Sequence, residues 1–233
     1  EAIKKACTKK TKAIIFNSPN NPSGLVFSRE KVRALAEFCY EQGIWLLSDE
    51  AYEQIVFDDH QFTCPLSLEE KYFENTISIR SFSKSYCMTG FRMGYLIANE
   101  KICHQLSSLQ SHVSGNNCTF AQFGALAALN MDQSYQQELR VELKAKRDLA
   151  YKLALELFPC PKPQGGFFIF ADVRKYLGTK FKDDIELAHH ILKAANVSLL
   201  PGSFFGKSPY LRISFSPSLA DIKEGFSRMK EVL

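Results

Sequence analysis

Apolar positions along the chain fall into two rhythms. Residues Thr76–Ser81 and 210–215 alternate apolar and polar side chains, the period of a half-buried strand. Short unbroken apolar runs at 13–16, 44–47, 95–98 and 167–170 also predict strands, as does the short, mostly apolar stretch 197–200. The run at 44–47 has no polar face, which predicts a parallel strand covered on both sides. Helical spacing follows Ser28, a suitable N-cap, with Val32, Leu35, Ala36 and Cys39 on one face and Gly43 to end it. Further helices are predicted over 100–111, 119–129, 132–158, 184–195 and 219–232, with a polar break at 114–117. The chain opens in the tail of a helix, and 53–75 reads as irregular surface structure. Turn formers crowd 17–24, 159–166 and 201–206.

Composition narrows the class. At 233 residues the chain can bury one large core or two small ones. The 29 basic and 25 acidic side chains nearly cancel, and the densest basic patch (Lys4, Lys5, Lys9, Lys10, Lys12) is local, so nucleic acid is not an expected partner. No apolar run approaches the ~20 residues of a membrane span, and no signal-peptide pattern is present. Seven cysteines, an odd number without a Cys-x-x-Cys pair, suggest neither a disulfide framework nor a zinc site. Reduced, mostly buried thiols in a cytoplasmic protein are expected. The five histidines have no metal-binding spacing; His189 and His190 lie in a helical pattern.

Chemistry concentrates around Lys84, which stands between the runs 76–81 and 95–98. Burying an unpaired ammonium is costly. An amine at a strand end can instead serve as a Schiff-base nucleophile, because desolvation readily lowers the pKa of lysine. Ser81, Ser83 and Arg92 could hold an anion beside it, although a polar surface loop has the same composition. Asp49 follows the apolar run 44–47, where ligands bind at the carboxyl ends of parallel strands; a helix N-cap is the alternative. Tyr52 stands three residues on, Asn21 sits in the turn-rich run 17–24, and Arg212 lies on the alternating strand 210–215, where an arginine ordinarily faces solvent.

Ser81-x-x-Lys84 followed by Gly90-x-Arg92-x-Gly94 closely resembles the lysine signature of class I/II aminotransferases that use pyridoxal 5'-phosphate. Asn20-Asn21-Pro22-Ser23-Gly24 resembles the same family's Asn-Pro-(Thr/Ser)-Gly motif, and the likeness runs nearly end to end, nearest the aspartate-aminotransferase-like branch. The resemblance implies an α/β fold of the aspartate-aminotransferase-like type (PLP fold type I). It implies part of a large cofactor domain with a mainly parallel sheet over 1–131. A connecting helix and small α+β domain would follow over 132–233. It also implies that the chain is the C-terminal portion of such an enzyme, without the phosphate loop and the ring-stacking aromatic residue, and so weakly active or inactive alone.

The implied roles follow residue by residue. Lys84 forms the Schiff base and moves the proton. Asp49 pairs with the pyridine nitrogen, and Tyr52 and Asn21 meet the phenolic oxygen. Ser81, Ser83 and Arg92 take the phosphate. Arg212 clamps the substrate carboxylate, a task suited to a bidentate guanidinium, with Asn21 close to the substrate. The implied partners are an α-amino acid, an α-keto acid and a second copy in a homodimer. A β-elimination C–S lyase of the same fold and a noncatalytic remnant acting in binding or dimerisation are the competing expectations.

Overall fold

The computed structural model describes residues 1–132 and 134–233 as two compact units. The first comprises 1–19, 26–54 and 61–136; the second comprises 20–25, 55–60 and 137–233. Gln133, within the helix expected over 132–158, lies outside the described residues.

The first unit is built on a four-stranded sheet in the order β1 (Ala13–Asn17), β2 (Trp45–Asp49), β3 (Thr76–Ser81), β4 (Gly94–Ile97). The first three strands are parallel and β4 is antiparallel. A short helix, α1 (Ala2–Ala6), precedes β1. The helix α2 (Arg29–Gln42) covers one sheet face, burying the four residues that its spacing predicts, and Gly43 ends it in the left-handed conformation. Ser28 occupies the N-cap position but makes no side-chain capping bond. Phe16, Leu46 and Tyr72 complete that core, where each large side chain removed from water contributes roughly 1.5–3 kcal/mol.

Several expectations need correction here. Burial along β2 alternates, so it is covered fully on one face only, and the edge strand β4 has no fully buried residue. The opposite face carries Ile15, Ile79 and Leu96 at 77%, 41% and 38% exposure. The segment 53–75 is not irregular surface: it contains two 3₁₀ turns, Pro65–Ser67 and Glu70–Glu74, and buries Ile55, Phe57 and Tyr72. The seven cysteines are free thiols, but only Cys39 is fully buried, while Cys87 and Cys118 are exposed. A second cluster joins Phe82 of α3 (Phe82–Ser85) to Ala125 and Ala128 of α5 (Thr119–Leu129). The helix α4 (Glu100–Val113), capped by Asn99, precedes α5. Among the described residues, no helix is long and apolar enough to cross a membrane.

The second unit has an antiparallel sheet ordered β5 (Phe168–Asp172), β7 (Tyr210–Ser214), β6 (Leu200–Pro201), so the alternating strand around Arg212 is central. Its helices are α6 (Ser134–Leu157, from residue 137 on), α7 (Asp184–Ala195) and α8 (Leu219–Val232). Two segments from the amino-terminal half belong to this unit because the backbone ties them in. Gly24 O accepts from the Gln164 and Gly165 amides, and the Phe57 amide donates to Gln164 O. A Cβ at Gly24, where φ is +68°, would stand 3.0 Å from Pro163 and 3.1 Å from Phe168 O, so glycine is required.

Arg147 of α6 locks the segment 55–60 in place. It is fully buried, grips Asp58 with two bonds of 2.8 and 3.1 Å, donates to Pro163 O, and lies 4.7 Å over the Phe57 ring. The hydrogen bonds from Arg147 hold the Asp58 carboxyl down at about 2. Arg147→Met should therefore lower unfolding stability by about 2–4 kcal/mol, somewhat under the usual cost of breaking a buried pair because Asp58 is partly solvated. The depressed Asp58 pKa makes its contribution present above about pH 4 and lost as pH falls toward 2. Urea unfolding between pH 2 and 5 should show that loss in the wild type and not in Asp58→Asn.

Candidate active site

In the first unit the parallel register brings three strand ends to one rim. Asn17 pairs with Asp49, and Asp49 pairs with Ile79, two residues short of Ser81. Side chains alternate along each strand, so Asn17, Asp49, Ile79 and Ser81 share the open sheet face, while Glu50, fully buried, faces the other. Asn17 Nδ2 donates to Asp49 O at 3.0 Å, and Asp49 Oδ1 accepts from the Ala51 amide at 3.2 Å, a local turn that fixes the carboxyl. Tyr52, the third residue after Asp49, is buried.

The lysine turn begins where β3 ends. Ser81 caps α3, its hydroxyl accepting from the Ser83 amide at 3.2 Å, and Lys84 is half-buried on that single turn of helix. The chain then returns as β4, with Gly94 paired to Ser81. A Cβ at Gly94 would stand 2.7 Å from Arg80 O, so the last glycine of the signature permits the strands to close. Cys87 and Arg92 are both left-handed, at φ 53° and 55°, an uncommon conformation for non-glycine residues that clusters at functional sites. Arg92 is exposed, and its Nη1 donates to Thr89 O at 3.0 Å.

Behind the rim lies a set of charges that sequence reasoning missed. Arg80 Nε meets the buried Glu50 Oε2 at 3.0 Å. Glu53, next to Tyr52, approaches the buried Ser85 hydroxyl, next to Lys84, at 3.4 and 3.5 Å. Burial pushes the Glu53 carboxyl up to about 7, against a backbone hydrogen bond and the charge of Arg80, which favour its ionised form. Strand alternation past Asp49 was the available signal for Glu50; nothing local marked Glu53.

Asn21 and Arg212 belong to the second unit, which brings them together. Arg212 Nη1 donates to Asn21 Oδ1 at 2.8 Å. The guanidinium carbon lies 4.4 Å from the Phe168 ring centre and 5.1 Å from that of Phe205, so Arg212 is not the solvent-facing strand arginine of the ordinary case. The structure therefore groups Asp49, Tyr52, Ser81, Ser83, Lys84 and Arg92 in one unit and Asn21 with Arg212 in the other.

The first unit thus carries a carboxyl group, a phenol, hydroxyls and an amine at or just past the ends of its parallel strands. The chain belongs to the aminotransferase class I and II family, whose model matches residues 1–229. It is 40% identical over 240 residues to a probable aspartate/prephenate aminotransferase of Aquifex aeolicus, covering 100% of this chain and 60% of that protein. The fold is that of the aspartate-aminotransferase-like proteins (PLP fold type I). It superposes on the aromatic aminotransferase of Pyrococcus horikoshii with a TM-score of 0.92, at 35% identity over 99% of this chain and 62% of that one. For the aspartate aminotransferase of Rhizobium meliloti the TM-score is 0.93, at 31% identity over 99% and 60% of the two chains. The chain thus spans about 60% of the length of the relatives it matches.

The Glu53 carboxyl, raised from 4.5, favours the fold while protonated. That contribution is fully present below about pH 4.5 and is lost as pH rises through about 7. Wild-type unfolding free energy should thus fall across this window by up to about 3 kcal/mol relative to Glu53→Gln, as read by urea unfolding at a series of pH values.

Proposed function

We propose that this chain carries the lysine-bearing part of a pyridoxal-phosphate-dependent aminotransferase that moves an amino group from an α-amino acid to an α-keto acid. The observation that supports this most is the placement of Lys84 on the turn leaving β3, on the same rim as Asp49. The donor set fits the cofactor: an amine for its carbonyl, a carboxyl group for its ring nitrogen, a phenol for its phenolic oxygen, and hydroxyls with a guanidinium for its phosphate. In this reading 1–131 is part of the cofactor domain and 132–233 is the connecting helix with the small domain.

When bound, pyridoxal phosphate supplies the electron sink that acidifies the substrate's Cα–H. The chain's own residues do the rest. Lys84 Nζ would hold the cofactor carbonyl and would serve as the general base for the substrate Cα proton, positioned by α3. Asp49 would pair with the ring nitrogen and favour its protonated form. By the family resemblance, Tyr52 and Asn21 would each be a donor for the phenolic oxygen, and Ser81, Ser83 and Arg92 would hold the phosphate. Arg212 orients the substrate carboxylate.

With this reading come an amino-acid donor, a keto-acid acceptor, a cytoplasmic setting and a homodimer. The open apolar side chains of α5, Phe120 and Phe123 at 72% and 69% exposure, support a covered assembly. The uncovered sheet face around Ile79 supports weak cofactor retention by this chain alone.

At millimolar pyridoxal phosphate the purified chain should develop a visible absorption band that shifts on adding an amino acid, and Lys84→Ala should abolish both. A protein-bound band that persists unchanged in Lys84→Ala would overturn the site assignment. Ammonia released without a requirement for keto acid would point instead to elimination.

A further inference from the structure

The second unit buries a carboxyl group to which the reading above gives no task. Asp184 opens α7 and is fully buried. Helix capping is done by its neighbour, since Asp183 Oδ1 accepts from the Ile185 and Glu186 amides at 3.1 and 2.9 Å. Asp184 reaches instead to the turn Gly202–Phe205. Its Oδ1 accepts from Ser203 Oγ at 2.5 Å and its Oδ2 from the Ser203 amide at 2.9 Å. Both carboxyl oxygens are thus used on one residue. A buried carboxyl is retained at a cost unless its oxygens are satisfied, and here that cost is offset by fixing a turn.

The turn has no slack. A Cβ at Gly202 would stand 2.2 Å from Lys207 O and 2.7 Å from Tyr210 Cβ. The Gly206 amide closes on Ser203 O at 3.0 Å and the Lys207 amide on Gly202 O at 2.9 Å. Two residues beyond Ser203 the turn delivers Phe205, whose ring meets Phe170 edge-on and lies 5.1 Å from the guanidinium carbon of Arg212. The donors of a guanidinium lie in one plane. Rings centred 4.4 and 5.1 Å from the guanidinium carbon therefore restrict the directions in which its N–H groups can point.

We propose that Asp184 is a positioning residue for Arg212: by locking Ser203 it sets Phe205 against the guanidinium and so aims the arginine's donors at a substrate carboxylate. This rests on the reading of Arg212 as the carboxylate-binding residue, and the geometry of the turn carries it one step further back. The path is Asp184 to Ser203 to Phe205 to Arg212, with Phe168 and Asn21 as the other supports of the guanidinium.

The test titrates the full chain with propionate, using propionamide as the uncharged control, and follows the Arg212 Nε–Hε signal by NMR, assigned with Arg212→Lys. Asp184→Ala should move the ligand-free signal downfield, because ring shielding by Phe205 is lost, and weaken propionate binding about tenfold, the scale of one charge-assisted hydrogen bond. Phe205→Leu should do the same. Combining the two should add less than about twofold, because they act on one path. Ser203→Ala keeps the amide bond to Asp184 and should give a smaller shift in the same direction, so the question remains answerable if Asp184→Ala does not fold. An unmoved signal and unchanged propionate affinity in Asp184→Ala, or in Ser203→Ala in its place, overturn the positioning role if Arg212→Lys still loses the ligand. Fully additive losses in the double variant overturn the path through Phe205. Propionate binding that survives Arg212→Lys overturns the reading of Arg212 itself, and the positioning role with it.

Discussion

The candidate chemistry of the first unit depends on the register of three parallel strands. Residues far apart in sequence, Asn17, Asp49 and Ser81, reach one rim because β1, β2 and β3 run the same way and pair without offset beyond a residue or two. A slip of one residue would send Asp49 to the covered face and Glu50 to the open one. The register is held by the core beneath it, where Leu46 and Phe16 pack against the apolar stripe of α2. Site and core are thus the two faces of one sheet, and side-chain alternation is what separates them.

In the second unit the corresponding constraint is on a single side chain. An arginine on a central strand of a small sheet must either reach water or find partners. Arg212 finds an amide oxygen from Asn21 and two aromatic rings. Those supports come from residue 21, from β5 and from the turn after β6. No stretch of local sequence contains them together. The same economy appears at Arg147, where carboxyls from residues 58 and 148, a carbonyl from 163 and the Phe57 ring surround one buried guanidinium. Both arginines tie short amino-terminal segments into a unit composed mostly of later residues.

Charge in the first unit is arranged in depth. Lys84 and Asp49 stand at the rim, and behind them lie the buried Glu50–Arg80 pair and Glu53 with its raised carboxyl. A glutamic acid titrating near neutrality, one residue from Tyr52 and in contact with the neighbour of Lys84, couples the stability of this region to pH. The left-handed Cys87 and Arg92 and the close approach at Gly94 show the backbone of the lysine segment bent to a shape that its own propensities do not favour.

Periodicity alone determined most of the elements: α5, α7, α8 and β3 fall on the predicted residues, because alternation and 3.6-residue spacing are local properties of one-sided burial. Sequence also held the likeness to class I and II aminotransferases, and the family model matching residues 1–229 bears that likeness out. What it could not hold was partnership. The segment 53–75 looked irregular because Ile55, Phe57 and Tyr72 are buried by residues distant in sequence, with no period of their own. The one-sided exposure of β2 and β4 depends on which faces other elements cover. The grouping of Asn21 with Arg212, the Asp184–Ser203 lock and the rise of the Glu53 carboxyl exist only once the chain is folded. Desolvation, stacking and buried hydrogen bonds are properties of neighbours in space, and only the tertiary structure decides who those neighbours are.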